Sequence, residues 1–269
     1  MDLSVLSIVI FLVTGVASGL AAGLMGVGGG LINVPALYYV FQTLGYPQEH
    51  CLHMALGTSL AIIIFTSTSS ARTHYKKGNL IPRVALTAGV GGVLGALAAS
   101  LIAVRLSDTI LRIAFALFLY LAAARLILNK QPEADTTEAD FRLGFPLLAA
   151  IGLGSGILSG FFGIGGGLIG VPLFILAAKL TPHKAVGSSS GMVVILAIFG
   201  ALGYAFSTPP VPLANTFGFV QIPAWILVAS SSILSAHFGA VIASKVSSKK
   251  LTIIFVIGLV LVATKMLLG

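Results

Sequence analysis

Two glycine-rich phrases concentrate the backbone chemistry available to this chain. "GLMGVGGGLINVP" occupies residues 23–35 and "GFFGIGGGLIGVP" occupies residues 160–172. In the first, Gly26 precedes Gly28, Gly29 and Gly30; in the second, Gly163 precedes Gly165, Gly166 and Gly167. Glycine lacks a Cβ and accepts positive φ, so such a run can break a helix. The helix that restarts after the break offers free N–H groups and the positive end of its dipole, which favour an anion. Successive glycine amides can also form a concave nest with the same preference. The alternative is that these glycines only permit close helix packing.

A second recurring phrase supplies hydroxyls. "HMALGTS" (53–59) matches "HKAVGSS" (183–189). Ser59 and Ser189 are candidate donors to an oxyanion, and Ser190 extends the second set. Thr58 and Ser188 serve equally as N-caps of apolar helices expected to open there. Asn33 adds an amide, but its counterpart is Gly170, so any amide contact is one-sided.

His237, in "SILSAHFGAV", is the deepest candidate for carrying a proton, with a structural core histidine as the alternative. His53 and His183 stand at helix starts. Asp2, Glu49 and Asp108 stand at segment ends, and the other acids fall in one polar linker. Cation pumps and most cation-coupled carriers place a carboxylate mid-membrane, and none is expected here. Nothing resembles a nucleophile triad, a carboxylate pair or a Walker loop. The dinucleotide fingerprint fails because Leu31 and Leu168 stand at its sixth position and no acid follows about 20 residues on. A single cysteine, Cys51, excludes an internal disulfide and disfavours a cysteine metal site. No enzyme activity, cofactor or metal is expected.

The elements that must position these residues are apolar helices. Of 269 residues, 57% are hydrophobic and 8% charged, with a mean hydropathy of +1.08. A soluble domain is about 25% charged. The class is therefore an all-α polytopic membrane protein with membrane lipid as its surroundings. The net charge of +8 marks cytoplasmic loops rather than a nucleic-acid surface. The first apolar segment lacks a basic n-region and is read as a retained helix, not a cleaved signal.

About eight segments are long enough to span. Two more, 31–41 and 168–178, are short, and each directly follows a glycine run. Residues 3–41 as one helix would reach about 58 Å, against a hydrocarbon core of about 30 Å. The chain must therefore turn or unwind, and the glycine runs are where it can. Backbone groups freed there cost several kcal/mol each unless protein or a wet cavity receives them.

The linker "NKQPEADTTEADFR" (129–142) divides the chain into an N-terminal repeat, 1–128, and a C-terminal repeat, 143–269. Residues 15–35 and 152–172 share 12 identities in 21 at an offset of 137. Gly15, Gly19 and Gly23 match Gly152, Gly156 and Gly160, a small-xxx-small spacing that predicts helix packing. Internal repeats of this kind mark secondary transporters. If the broken unit goes in and returns, the repeats are inverted and eleven basic residues gather on one side against three on the other. That asymmetry is the positive-inside pattern and places loops 72–83, 129–142 and 245–250 in the cytoplasm. If the unit crosses once, the repeats are parallel and the charges divide evenly. The inverted arrangement is preferred.

The doubled "GxGGGxxxVP" (26–35 and 163–172), with these apolar segments and a polar middle, resembles the TauE/SafE family of sulfite and sulfonate exporters. The likeness covers essentially the whole chain. It implies transport of small sulfur-containing or organic anions across the cytoplasmic (inner) membrane. A small-anion channel and a membrane scaffold or assembly factor are the competing readings. On the leading one, two broken helices hold the anion near the midplane through their glycine amides, with Ser59 and Ser189.

Overall fold

The computed structural model describes residues 5–26, 28–128, 144–242 and 248–268. The polar linker 129–142, and with it the junction between the expected repeats, lies outside the described residues. The elements run in chain order: α1 (Val5–Met25), α2 (Gly30–Thr43), α3 (Gln48–Lys76), α4 (Pro82–Ala103) and α5 (Asp108–Leu128). Then come α6 (Phe145–Phe162), α7 (Gly167–Leu176), α8 (Pro182–Ala205), α9 (Ile222–Ile242) and α10 (Ser248–Leu268). Between α8 and α9 a hairpin of two two-residue strands, β1 (Thr216–Phe217) and β2 (Val220–Gln221), pairs antiparallel. It follows the proline-rich stretch in which a continuous helix is forbidden.

The chain is a polytopic α-helical membrane protein, with a corrected span count. Among the described residues six helices, not about eight, are long and apolar enough to cross a bilayer: α1, α3, α4, α6, α8 and α9. Helices α5 and α10 have 21 residues each and are also largely apolar. Large apolar side chains face outward all round, with Leu94 76% and Leu121 70% exposed. Faces of that kind need lipid against them.

The matched glycines of α1 and α6 pack helices together. A Cβ at Gly15 would run into the Ser231 hydroxyl and the Val228 carbonyl, one at Gly19 into the Ser235 hydroxyl and the Ser232 carbonyl, and one at Gly23 would lie 2.5 Å from Ala240 N. Helix α1 therefore lies parallel to α9 with the two backbones nearly touching. Helix α6 lies on α4 in the same way, Gly156 and Gly160 standing 3.1 and 2.8 Å from Ala96 and Ser100 by that measure. This is the small-xxx-small packing expected from their spacing.

At the centre, α3 and α8 cross antiparallel. Gly57 meets Tyr204, Gly200 meets Leu60, and Gly187 meets His74. Ser70 Oγ and Ser190 Oγ are 3.1 Å apart. The hydrophobic core is built around this crossing, with Leu56, Leu60, Ile62, Ile63, Val193 and Ala197 all buried.

Candidate functional site

Both glycine runs break helices, and they do so in the same way. Gly26, Gly28 and Gly29 have φ of 68°, 79° and 82°; Gly163, Gly165 and Gly166 have 63°, 77° and 76°. These are left-handed conformations that disfavour a side chain. Gly26 N–H still closes helix α1 onto the Ala22 carbonyl, and Gly163 N–H closes α6 onto Ser159, each at 2.9 Å. Three residues later Gly29 and Gly166 become the N-caps of α2 and α7, with no side chain capping either. The first N–H groups of each new helix, at Gly30 and Gly167, have no partner within their own helix. Pro35 and Pro172, inside α2 and α7, cannot donate back to the carbonyls of Leu31 and Leu168.

The two breaks touch. A Cβ on Gly30 would lie 2.5 Å from the Cα of Ile164 and 2.7 Å from the carbonyl oxygen of Gly163. Positions 28 and 165 both face Ile63 of α3 and Val193 of α8. Hence both runs meet at the middle of the α3–α8 crossing, deep in the molecule.

The hydroxyls expected to bind an anion are occupied in this arrangement. Ser59 donates to the Gly163 carbonyl at 2.7 Å, and Ser189 donates to the Gly26 carbonyl at 3.3 Å. Each serine thus braces the break of the opposite half. Thr58 and Ser188 lie elsewhere and do not cap helices. Thr58 is the eleventh residue of α3, and its hydroxyl accepts from Gln221 N–H just before α9 at 2.9 Å. Ser188 lies inside α8 and accepts from Ile81 N–H just before α4 at 3.1 Å. The cap of α8 is Thr181, because Pro182 starts that helix earlier than the apolar pattern suggests. Ser190 bonds to Ser70 and to the Val186 carbonyl.

Asn33 is placed differently. It sits one turn into α2, fully buried, and neither its amide oxygen nor its amide nitrogen has a partner. Burying an amide without hydrogen bonds costs about 1–3 kcal/mol by mutational data. Ser67, Ser155 and Ser159 hydroxyls share this buried, unpartnered condition. Ser67 Oγ lies 3.2 Å from the Cβ position of Gly28. Ser189 and Ser155 Oγ lie 3.3 and 3.6 Å from that of Gly170, the counterpart of Asn33. The centre is therefore lined by unsatisfied polar groups beside two helix N-termini. Sequence reasoning missed the three serines, although Ser18 and Ser155 are a matched pair at the 137-residue offset.

His237 lies away from this centre. It is exposed on α9, with Nδ1 3.0 Å from the Thr73 hydroxyl. The buried histidines are His50, His53 and His74, all on α3, at 7%, 3% and 1% exposure. Among the described residues no three His, Cys, Asp or Glu side chains converge as a metal site.

Discontinuous helices that meet inside a bundle of membrane helices are a feature of secondary transporters. The chain belongs to the TauE/SafE family: residues 11–266 match the family described as "Sulfite exporter TauE/SafE". It is a multi-pass membrane transporter of small anions. It is 31% identical to a probable membrane transporter protein of Haemophilus influenzae, over 97% of this chain and 98% of that one. A probable membrane transporter protein of Methanocaldococcus jannaschii is 29% identical over 91% and 89%. One from Bacillus subtilis is 25% identical over 97% and 98%. No solved structure matches the chain significantly.

Proposed function

We propose that this transporter exports small sulfur-containing or organic anions, such as sulfite or sulfoacetate, across the cytoplasmic membrane. The anionic head is held where the two glycine breaks meet. Asn33 carries the reading: a fully buried amide with both polar atoms unpartnered, in the first turn of the helix that restarts at one of the two breaks. A group of that kind is costly in an empty site and useful in an occupied one. Ser59 and Ser189 set the breaks, and the glycine amides supply further donors.

The halves 1–128 and 143–269 are read as inverted repeats. Several observations support this. Helix α3 is antiparallel to its counterpart α8, and α1 lies on α9 as α6 lies on α4. The bonds Ser59–Gly163 and Thr58–Gln221 recur as Ser189–Gly26 and Ser188–Ile81. In an inverted-repeat carrier the site lies between the repeats, and rocking of one against the other alternates access.

The test is a thermal-shift screen of the purified protein against sulfite, sulfoacetate, taurine, thiosulfate, sulfate and short carboxylates. Stabilisation by a sulfur oxyanion or sulfonate, lost in Asn33→Ala, is expected. Equal stabilisation of the Asn33→Ala protein would move the anion elsewhere. No stabilisation by any of them would favour a scaffold. Flux in vesicles that ignores imposed proton and sodium gradients would favour a channel.

A further inference from the structure

The α3–α8 crossing is polar on one side of the glycine breaks and apolar on the other. Its middle lies at Ile63 and Val193, the two side chains that face both Gly28 and Gly165. From there α3 runs towards Lys77 through Ser67, Ser70 and His74, whose spacing puts them on one helix face. Ser67 Oγ lies 3.2 Å from the Cβ position of Gly28. Ser70 Oγ is 3.1 Å from Ser190 Oγ of α8. The Cβ of His74 is 3.1 Å from the Cβ position of Gly187. Helix α8 leaves the middle in the other direction through Ala197, Gly200 and Tyr204, each 130 residues beyond its counterpart on α3. The contacts recur there with different side chains. Leu60, the counterpart of Ser190, comes within 3.0 Å of the Cβ position of Gly200. Tyr204 comes within 2.8 Å of that of Gly57, the counterpart of Gly187. One geometry thus carries hydroxyls and an imidazole at the Lys77 end, and alkyl and aromatic groups at the opposite end.

Two further observations separate the ends. Ser67 Oγ and His74 Nδ1 are buried without a partner, in residues only 1% exposed, whereas Leu60, Ala197 and Tyr204 belong to the apolar core. Charge differs as well. Lys76 and Lys77 finish α3, and His183 and Lys184 open α8, at the same end. Glu49 and Asp108, the acids among the described residues, both stand at the opposite end, where they offset Arg105 and Arg112.

We propose that the anion reaches the breaks from the Lys77 end, between α3 and α8 and past His74, Ser70 and Ser190, while Leu60 and Tyr204 seal the opposite end. This rests on the reading of the breaks as the anion site. Parting the polar side exchanges the Ser70–Ser190 bond for bonds to water, which is nearly balanced. Parting the other side would expose Leu60 and Tyr204, both among the largest fully buried side chains, and the hydrophobic effect opposes that. In the anion-free protein the Lys77 end therefore opens more readily. Hydroxyls can donate to an anion in transit, and Leu60 and Ala197 cannot. The basic mouth raises the local concentration of anions.

Cysteine modification by a small, membrane-impermeant thiosulfonate reagent bearing a sulfonate tests the path. In a Cys51→Ser background, Ser70→Cys and Ala197→Cys are compared in sealed vesicles of both orientations, with Asn79→Cys marking the Lys77 face. Ser70→Cys is expected to react from the face at which Asn79→Cys reacts. Its rate should exceed that of Ala197→Cys from either face by at least about tenfold, the ratio set by keeping one large apolar side chain buried. Ser190→Cys, on the facing wall, should behave as Ser70→Cys does and takes its place if that variant is not recovered folded. Equal rates at the polar and apolar positions, or reaction at the polar position only from the opposite face, overturn the proposal. The reaction needs no anion bound at the breaks, so it fails separately from the thermal-shift screen.

Discussion

Ser59 donates its hydroxyl proton to the carbonyl of Gly163, 2.7 Å away on the opposite half of the chain. The mirrored bond, Ser189 to Gly26, is 3.3 Å long. Both carbonyls lie where a helix stops, so each serine satisfies a buried acceptor. Removing one partner of a buried bond costs about 1–3 kcal/mol through the group left unsatisfied. Ser59→Ala is therefore expected to lower thermal stability by about that amount, and Ser189→Ala by less, because its bond is longer. Equal melting temperatures for Ser59→Ala and the unmutated protein in the same detergent would show that the hydroxyl is not needed to hold the break.

Glycines in this chain are not interchangeable, and alanine distinguishes them. At Gly152 a Cβ would run into the Ala88 carbonyl of α4, and at Gly29 it would meet the Ser18 carbonyl at 2.5 Å with φ at 82°. At Gly154, two residues from Gly152 on the same helix, nothing lies within 4 Å. Gly154→Ala is expected to stabilise by about 0.5–1 kcal/mol through helix propensity alone. Gly152→Ala and Gly29→Ala should lose folded protein, measured as the monodisperse fraction after extraction. Gly29→Val is accordingly a poor probe of binding, since its side chain points at α1 and not at the free N–H groups.

Much of this architecture was legible because glycine is costly in an apolar helix. Four glycines in five residues, repeated at a fixed offset, required a break, and the structure has one at each site. The small-xxx-small spacing gave the packed faces of α1 and α6. What they pack against, α9 and α4 from the other half, was not legible, because glycine spacing names a face and not its partner. Thr58 and Ser188 were misplaced for a related reason: hydropathy marks where an apolar run begins, while α3 starts at Gln48 and α8 at Pro182 in more polar sequence. His74, whose Nε2 lies 3.3 Å from the Gly23 carbonyl, escaped notice because its counterpart is Tyr204, whose hydroxyl donates to the Gly160 carbonyl at 3.0 Å. A comparison by identity passes over a position that keeps its hydrogen bond and changes its chemistry.

Orientation has a direct check. Lys77, in the loop after α3, donates from Nζ to the carbonyls of Ala240 and Val241 at the end of α9, at 2.9 and 3.2 Å. The basic loop beginning there and the basic start of α10 should therefore share one side of the membrane. In a Cys51→Ser background, Asn79→Cys and Ser248→Cys are expected to label from the cytoplasmic face only. Labelling from opposite faces would overturn the inverted arrangement and restore the parallel one.

Asn33 gives the sharpest separation of stability from function. In most proteins a buried asparagine is bonded, and replacing it with leucine removes those bonds and destabilises. Here both amide atoms are buried and unpartnered, so the empty protein gains nothing from them and bears the cost of their desolvation. Leucine has the same number of side-chain heavy atoms, branches at the same carbon and carries no polar atoms. Asn33→Leu is therefore expected to raise the melting temperature of the anion-free protein, by the equivalent of about 1–3 kcal/mol. The same substitution removes the amide from the first turn after the break, so, on the proposed reading, stabilisation by an added anion should be lost. A destabilised anion-free variant would mean that Asn33 has a structural partner in the membrane. A stabilised variant that still responds to the anion would mean that the ligand is held without the amide, by the helix N-termini alone.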